Sequence, residues 1–415
     1  MRRRLGRRAL MRGAAAIAAA PFIPAAPAIA EAEPVRIGLL TVKTGPLAQG
    51  GIQMEQGITI FLKQKNFTLA GRKIELSVAD TGGNPAGAKT KAQEAIERDH
   101  VDFILGPLAA FELLAISDYV AAAKVPILSL AAAEDMTQRH PNPFFARASG
   151  TAAQSNHPLA HYAATELKLK RIATISEDFA FGHEQVGGFQ RVFEDDGGKI
   201  VKKLWPPLVT ADYTPYLAQI GNVDAVFQGF AGSNPLRFMR QYADMGLKMQ
   251  VLGGIVALDD ALLKSMGDEA LGVISCGTFG SEIDTPSNRR FVADMLRDYD
   301  NVPGEYAGGL YTNGMCIEAA LEKTGGKIDD KLAVMTALRA ISLTDTPRGP
   351  MHFDHLGNVV GDTYIRRCER RDGKLVNVII KTYENVSQFW TYDEKWFLEQ
   401  PVYSRDYPPA KNLEP

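Results

Sequence analysis

His157 and His161 stand four residues apart, the spacing that puts two imidazoles on one helix face, as a metal-binding helix requires. No carboxylate completes the set at a matching spacing, so the pair reads as solvated or satisfied by protein partners. The other histidines, His100, His140, His183, His352 and His355, form no H-E-x-x-H. Asp195-Asp196 precedes Gly197-Gly198 and reads as turn chemistry at a helix end, not as a catalytic dyad. The sequence has no G-x-S-x-G elbow and no G-x-x-x-x-G-K-[ST] loop, and no G-x-G-x-x-G follows its first strand. Cys276, Cys316 and Cys368 are odd in number and sparse, which argues against a disulfide framework. Buried, inert thiols are expected, with a single Cys276–Cys316 bridge as the alternative. Catalysis has no support, and no metal or cofactor is expected.

What remains is binding, and the elements around residues 35–57 would position it. The apolar run 35–42 lacks polar alternation, so it reads as a strand buried on both faces. Lys43-Thr44-Gly45-Pro46 breaks it, and helical spacing follows through Ile52, Ile58, Ile60 and Phe61. A strand, loop and helix in that order bring unpaired N–H groups to the strand's carboxyl end, where open α/β sheets bind small ligands. This stretch is read as one wall of a ligand cleft.

The unit repeats. Strands are expected at 74–79, 101–105 and 126–130, with helices at 88–98 and 111–123, giving a parallel sheet with right-handed crossovers. A second series has strands at 171–176, 199–205, 225–229, 251–255 and 273–278. Its helices are expected at 154–167, 183–195, 213–220 and 234–245. The helices 288–299 and 306–324 have no strand between them and would return to the first lobe. From His352 the pattern becomes polar alternation with a hairpin turn at Arg371-Asp372-Gly373. The chain is thus expected to cross between two lobes near 150, 280 and 347, making a hinge with a cleft. The lobes would be 31–149 with 281–346, and 150–280 with 347–383; an aromatic-rich tail, 384–415, would pack across both.

At 415 residues the chain suits two domains, and 46% hydrophobic with 23% charged residues is ordinary for a soluble protein. A net charge of −2 gives no electrostatic reason to expect nucleic acid or an acidic membrane surface. Residues 1–30 read as an export signal: a basic head (Arg2, Arg3, Arg4, Arg7, Arg8), an apolar core over 14–23 and a small-x-small site at Ala28-Ile29-Ala30. The apolar run is too short to span a bilayer, which takes roughly 20 residues. A periplasmic protein is expected, exported by the Sec or twin-arginine route and not membrane-inserted after cleavage.

Several stretches then carry a resemblance. V-R-I-G-L-L-T and T-G-P-L-A-Q-G-G, V-D-F-I-L-G-P, V-P-I-L-S-L-A-A-A-E-D-M-T, F-F-A-R-A-S-G, E-D-F-A-F-G and F-M-R-Q-Y-A-D-M-G-L-K follow in order over nearly all of 35–350. Together they resemble the branched-chain amino acid family of periplasmic binding proteins. The resemblance implies a type I periplasmic binding fold, α/β, with two Rossmann-like lobes joined by a three-crossover hinge. It also implies a monomeric receptor that closes on a small molecule and delivers it to the permease subunits of an ABC importer.

The resemblance also locates departures. Where amino-acid-binding members carry hydroxyls for the ligand carboxylate, this chain has Ala110 and either Ala132 or Ala133. Ile255 stands where an acid meets the ammonium, Phe181 where a tyrosine is usual, and Gly50 where the first loop often has an aromatic. An unpartnered buried ammonium costs several kcal/mol. The implied ligand is therefore a small aromatic or apolar carboxylate, benzoate- or hydroxycinnamate-like, with Gly50 opening space for it. Phe111, Phe181, Phe230 and Phe279 would supply aromatic walls. Backbone N–H groups at Ala110, Phe111 and Ala133 would hold the carboxylate, with Thr44 and Ser233 as nearby hydroxyls and Tyr306 as a roof. His157 or Arg147 would supply a charge, although Arg147 at a crossover suits a structural role better. The tail segment 382–398 is similar to that of a subgroup linked with uptake of plant-derived aromatic acids. The alternatives are a receptor for branched-chain or other hydrophobic amino acids, which needs an acid near Ile255, and a ligand-sensing regulator of the same fold. An enzyme would have to turn its bound compound over.

Overall fold

The computed structural model of the protein describes residues 33–414, so the export signal expected over 1–30 lies outside the described residues. Strands β1 (Val35–Thr41), β2 (Thr68–Leu69), β3 (Arg72–Asp80), β4 (Phe103–Leu105), β5 (Ile127–Leu128) and β6 (Phe145–Ala146) form one sheet, in the order β2-β3-β1-β4-β5-β6. β1 runs parallel to β3 on one side and β4 on the other, Ile37 facing Leu76 and Phe103. Its alternate residues go to opposite faces. Leu39 packs with Met54, Ile58 and Leu310 from helices Ala48–Gln64 and Glu305–Lys323. Leu40 packs with Ala88, Ala92 and Leu113 from helices Pro85–Gln93 and Ala110–Ala123. Apolar contacts on both sides are the reason the strand shows no alternation.

A second sheet holds β7 (Arg171–Ser176), β8 (Lys199–Leu204), β9 (Ala225–Gly229), β10 (Gln250–Gly253), β11 (Ile274–Gly277), β12 (Ser342–Leu343), β13 (Met351–Phe353), β14 (Val359–Arg371) and β15 (Lys374–Val386). Its order is β12-β13-β14-β11-β10-β9-β7-β8, with β15 paired to β14. β7 to β11 are parallel, whereas β14 is antiparallel to β11, β13 and β15. The β14–β15 turn is Asp372-Gly373, both at positive φ (50° and 78°), the backbone that a tight hairpin needs. Phe189 stacks on Phe227 at 4.4 Å on one face of this sheet, while Tyr213, Phe230 and Phe238 fill the other.

The chain passes from the first sheet to the second after Ala146, leaves it after Gly277, and re-enters it at Ser342. Arg147 marks the first passage. Its buried guanidinium donates to the carbonyls of Ala131 (3.2 Å) and Ala133 (2.7 Å), to Thr137 Oγ1 (3.0 Å) and to Asn358 Oδ1 (3.3 Å). That is a structural role, as its place at a crossover implied. Beyond β15 the tail lies against both sheets' helices and turns. Gln388 donates to the Thr137 carbonyl at 2.9 Å. The Arg191 guanidinium sits 5.1–5.9 Å from the ring centroids of Tyr392, Trp396, Phe397, Tyr403 and Tyr407.

Several elements were not anticipated, among them strands β2 and β6 and the helix Glu394–Glu399. The helix Lys331–Arg339 was missed, and the helix expected over 88–98 starts earlier, at Pro85, and ends as a π-turn at Glu94–Arg98. Cys276, Cys316 and Cys368 are free, buried thiols, so the alternative Cys276–Cys316 bridge is not formed. Among the described residues no helix is long and apolar enough to cross a membrane, and no cluster of three ligating side chains could hold a metal. His161 Nδ1 instead meets Asp196 Oδ2 at 2.9 Å.

Candidate ligand cleft

The carboxyl ends of the two sheets face one cavity, with about 580 Å³ of space between the atoms, part of it open to solvent. Leu47, Leu108, Ala110, Leu130 and Ala132 line it from the first sheet's side, and Phe179, Phe181, Ala231, Ile255 and Val256 from the second's. The crossover residues 149–152 and the start of helix Glu305–Lys323 close the remaining walls.

Four long helices begin in these walls: Ala110–Ala123, Ala152–Thr165, Ala180–Asp195 and Glu305–Lys323. First-turn N–H groups have no partner within their own helix, and the helix dipole adds positive potential at that end. The cavity thus combines apolar side chains with backbone donors. Such a site lowers the desolvation cost of an anion whose remainder is apolar.

Glu305 and Tyr306 are the ionisable side chains in the wall. Glu305 is an acid that the sequence reading did not place; it lines the same cavity as Ile255. Its oxygens accept from the backbone N–H of Thr278 (3.2 Å) and of Phe279 (3.1 Å), and from Thr278 Oγ1. Burial raises its pKa above the ordinary carboxylate value. Tyr306 lines the cavity, with its ring against Gly50. A Cβ at Gly50 would lie 2.9 Å from Tyr306 Cε2 and 3.0 Å from Leu108 Cδ1. Gly50 therefore admits the Tyr306 ring and opens no space for ligand.

The sides touch across the cleft. Ser233 N donates to the Pro46 carbonyl at 3.1 Å, and Ser233 Oγ approaches the same oxygen at 3.5 Å. Gly232 has φ +60°, and a Cβ there would fall 2.1 Å from Pro46 O, so only glycine allows this approach. Phe111 meets Phe179 edge-on at 5.5 Å, and Phe179 stacks on Phe181 at 6.0 Å.

Of the expected site residues, Ala110, Ala132, Phe181, Ile255 and Tyr306 line the cavity together. Phe111 joins through Phe179, while Thr44 is exposed on the first loop and is not among the residues that line the cavity. Others are used differently. Ala133 gives its N–H to both Glu184 oxygens at 3.2 Å, so that donor is not available to a ligand. Phe230 packs on Tyr213 (4.9 Å) and Phe238 (5.0 Å) in the second core, and Phe279 on Phe291 (6.1 Å) beneath helix Glu305–Lys323. His157 lies under the tail against Phe397, fully buried. Burial and then the Arg191 charge push its pKa down to about 3, so it is neutral and supplies no charge. Phe179 was missed, although it stands two residues before Phe181 in E-D-F-A-F-G. Thr151 was missed too, although T-x-x-Q is a legible capping box: Gln154 N donates to Thr151 Oγ1 and Thr151 N to Gln154 Oε1, both at 3.1 Å.

Comparison with known proteins decides the family. Residues 34–374 match the family model for a periplasmic binding protein. The chain belongs to the periplasmic binding protein family. The binding protein is 29% identical over 387 residues to a Leu/Ile/Val-binding protein homolog 6 of Brucella suis, covering 90% of this chain and 97% of that one. It is also similar to a solved solute-binding protein of an ABC transporter from Rhodopseudomonas palustris, in complex with 3,4-dihydroxybenzoic acid. That match has 32% identity, a TM-score of 0.82, and covers 85% of this chain and 98% of the other. A second R. palustris solute-binding protein, in complex with 4-hydroxybenzoate, matches at 27% identity and TM-score 0.80, over 86% and 99% of the two chains. The binding protein has the type I periplasmic binding fold, and its family and neighbours are solute receptors of ABC transporters, not enzymes.

Proposed function

We propose that this protein is the periplasmic receptor of an ABC importer for a small aromatic or apolar carboxylate, benzoate- or hydroxycinnamate-like. The observation that carries the reading is the cavity wall, which joins Phe179, Phe181, Leu108 and Ile255 to the starts of four helices. An aromatic acid has the matching two ends. Its ring gains burial and edge-on packing against the phenylalanines, about 1 kcal/mol per ring pair. Its carboxylate gains the first-turn N–H groups of Ala110 and Phe111. The benzoate-type ligands in the solved R. palustris relatives support the same class. The binding step is lobe closure: a ligand touching both sides only when the cleft is shut shifts the equilibrium toward the shut form. The permease subunits would read that form.

A hydrophobic amino acid is the second reading, favoured by Glu305 in the wall and by the name of the Brucella relative. It requires Glu305 to be ionised and to turn an oxygen toward an ammonium. Against it, the carboxylate is already held by Thr278 and Phe279, and burial favours its neutral form. A thermal-shift and calorimetric panel of benzoate, 4-hydroxycinnamate and leucine tests the choice. Stabilisation by the aromatic acids is expected; stabilisation by leucine alone overturns the proposal.

A further inference from the structure

The crossover 149–152 carries a polar group with no present use. Ser149 is 6% exposed and lines the cavity; its Oγ is itself shut off from water and has no hydrogen-bond partner among the described residues. A buried hydroxyl left unmatched forfeits a hydrogen bond that water would give it. Ser155 and Ser275 Oγ also lack a partner, but among the described residues with such atoms Ser149 is the one that lines the cavity. Ser149 also stands two residues before Thr151, the N-cap of the helix Ala152–Thr165, whose cap is complete. Thr151 and Gln154 satisfy each other, which leaves the N–H groups of Ala152 and Ala153 as first-turn donors without a helix partner. Just upstream, Arg348 donates to the Ala148 carbonyl, and Arg147 is buried against the 131–133 carbonyls. The one carboxylate in the wall, Glu305, is turned onto Thr278 and Phe279.

We propose that Ser149 is a ligand-binding residue, its hydroxyl donating to the ligand carboxylate at the point where the chain crosses between the sheets. This rests on the carboxylate reading of the cleft and adds a hydroxyl other than Thr44 and Ser233, the two the sequence reading offered. A carboxylate accepts through two oxygens, so the Ala110 helix start and Ser149 serve the same group from two sides of the cavity. Anchoring on a crossover also ties ligand occupancy to the segment that lobe motion must bend.

The test is calorimetric titration of the full-length mature protein and S149A with benzoate, benzamide and leucine. Loss of a hydrogen bond to a charged group should weaken benzoate about 10- to 100-fold. Benzamide binding should change less than threefold and the melting temperature of the free protein should hold, because Ser149 Oγ has no protein partner to lose. Equal benzoate affinity in S149A overturns the inference, and so does an equal loss for benzoate and benzamide. Leucine separates the two failures. A wild-type protein that takes leucine and not benzoate overturns the aromatic reading, whereas an S149A indifferent toward whichever carboxylate the wild type holds overturns the Ser149 role. A second variant, S149C, places a thiol at the same point against three buried native cysteines. Benzoate is expected to slow its alkylation by iodoacetamide at least tenfold, and an unchanged rate counts against Ser149.

Discussion

Glu184, on the helix Ala180–Asp195, accepts from the backbone N–H of Ala133 on the opposite side of the cleft, at 3.2 Å to each of its oxygens. Glu184 Oε1 also takes the N–H of Glu134 at 3.1 Å. A carboxylate of one half is thereby bonded to a turn of the other, and Arg147 binds the carbonyls of the same turn. Burial raises the pKa of both Glu134 and Glu184, and the Glu184 charge adds to the rise at Glu134, whereas the Glu134 and Ala133 N–H groups favour the ionised form of Glu184.

The same physics makes overall stability depend on pH. Burial raises Glu177 from 4.5 to about 7 and Asp259 from 3.8 to about 7. An acid whose folded pKa is raised contributes stability that is fully present below its unfolded value and lost as pH climbs through the folded one. For Glu177 that window runs from about 4.5 to about 7, and the loss is on the order of 3 kcal/mol. His157 runs the other way: held neutral down to about 3, it costs stability as pH falls below 6.5. Glu177→Gln isolates one term, keeping an oxygen to accept from Ala231 N and Asn234 Nδ2. The melting temperature of E177Q minus that of the wild type should rise steadily from pH 4.5 to 7.5. A flat difference would show that Glu177 is ionised throughout.

Glu305 separates the two ligand classes. In E305Q an amide nitrogen faces the Thr278 or Phe279 N–H, a donor–donor conflict expected to cost about 1–2 kcal/mol in urea unfolding. Benzoate affinity should be unchanged or tighter, since a carboxyl that could carry like charge has gone from the wall. A hundredfold loss of leucine binding in E305Q, with benzoate silent, would instead give the ammonium to Glu305.

Gly232→Ala attacks closure without touching the ligand. The new methyl meets the Pro46 carbonyl, and the residue must hold φ +60°, a strain of about 1 kcal/mol for a non-glycine. The penalty falls on the shut form, so apparent affinity should drop about fivefold or more. Small-angle scattering with saturating benzoate would find a compact G232A, and without ligand a more open one than the wild type. Identical titration curves for the two proteins would mean that the Pro46–Gly232 approach plays no part in closing.

Much of this molecule was legible in one dimension. The runs at 171–176 and 225–229 coincide with β7 and β9 because parallel strands covered on both faces leave an apolar signal bounded by breakers. Ala110, Ile255 and Phe181 reached the cavity because strand ends and helix starts occupy fixed places in an open α/β sheet. Local pattern could not assign aromatic rings to cleft or core. Phe179 and Phe230 are alike in type and in standing just beyond strands, yet one lines the cavity and the other packs on Tyr213. Nor could it say that Gly50 yields its space to Tyr306, 256 positions on, or that His157 would be covered by Phe397. Those outcomes depend on which distant segments meet. Order along the chain set the strands, helices and their ends; only the packing of remote pieces decided which groups face the ligand and which are spent holding the two halves together.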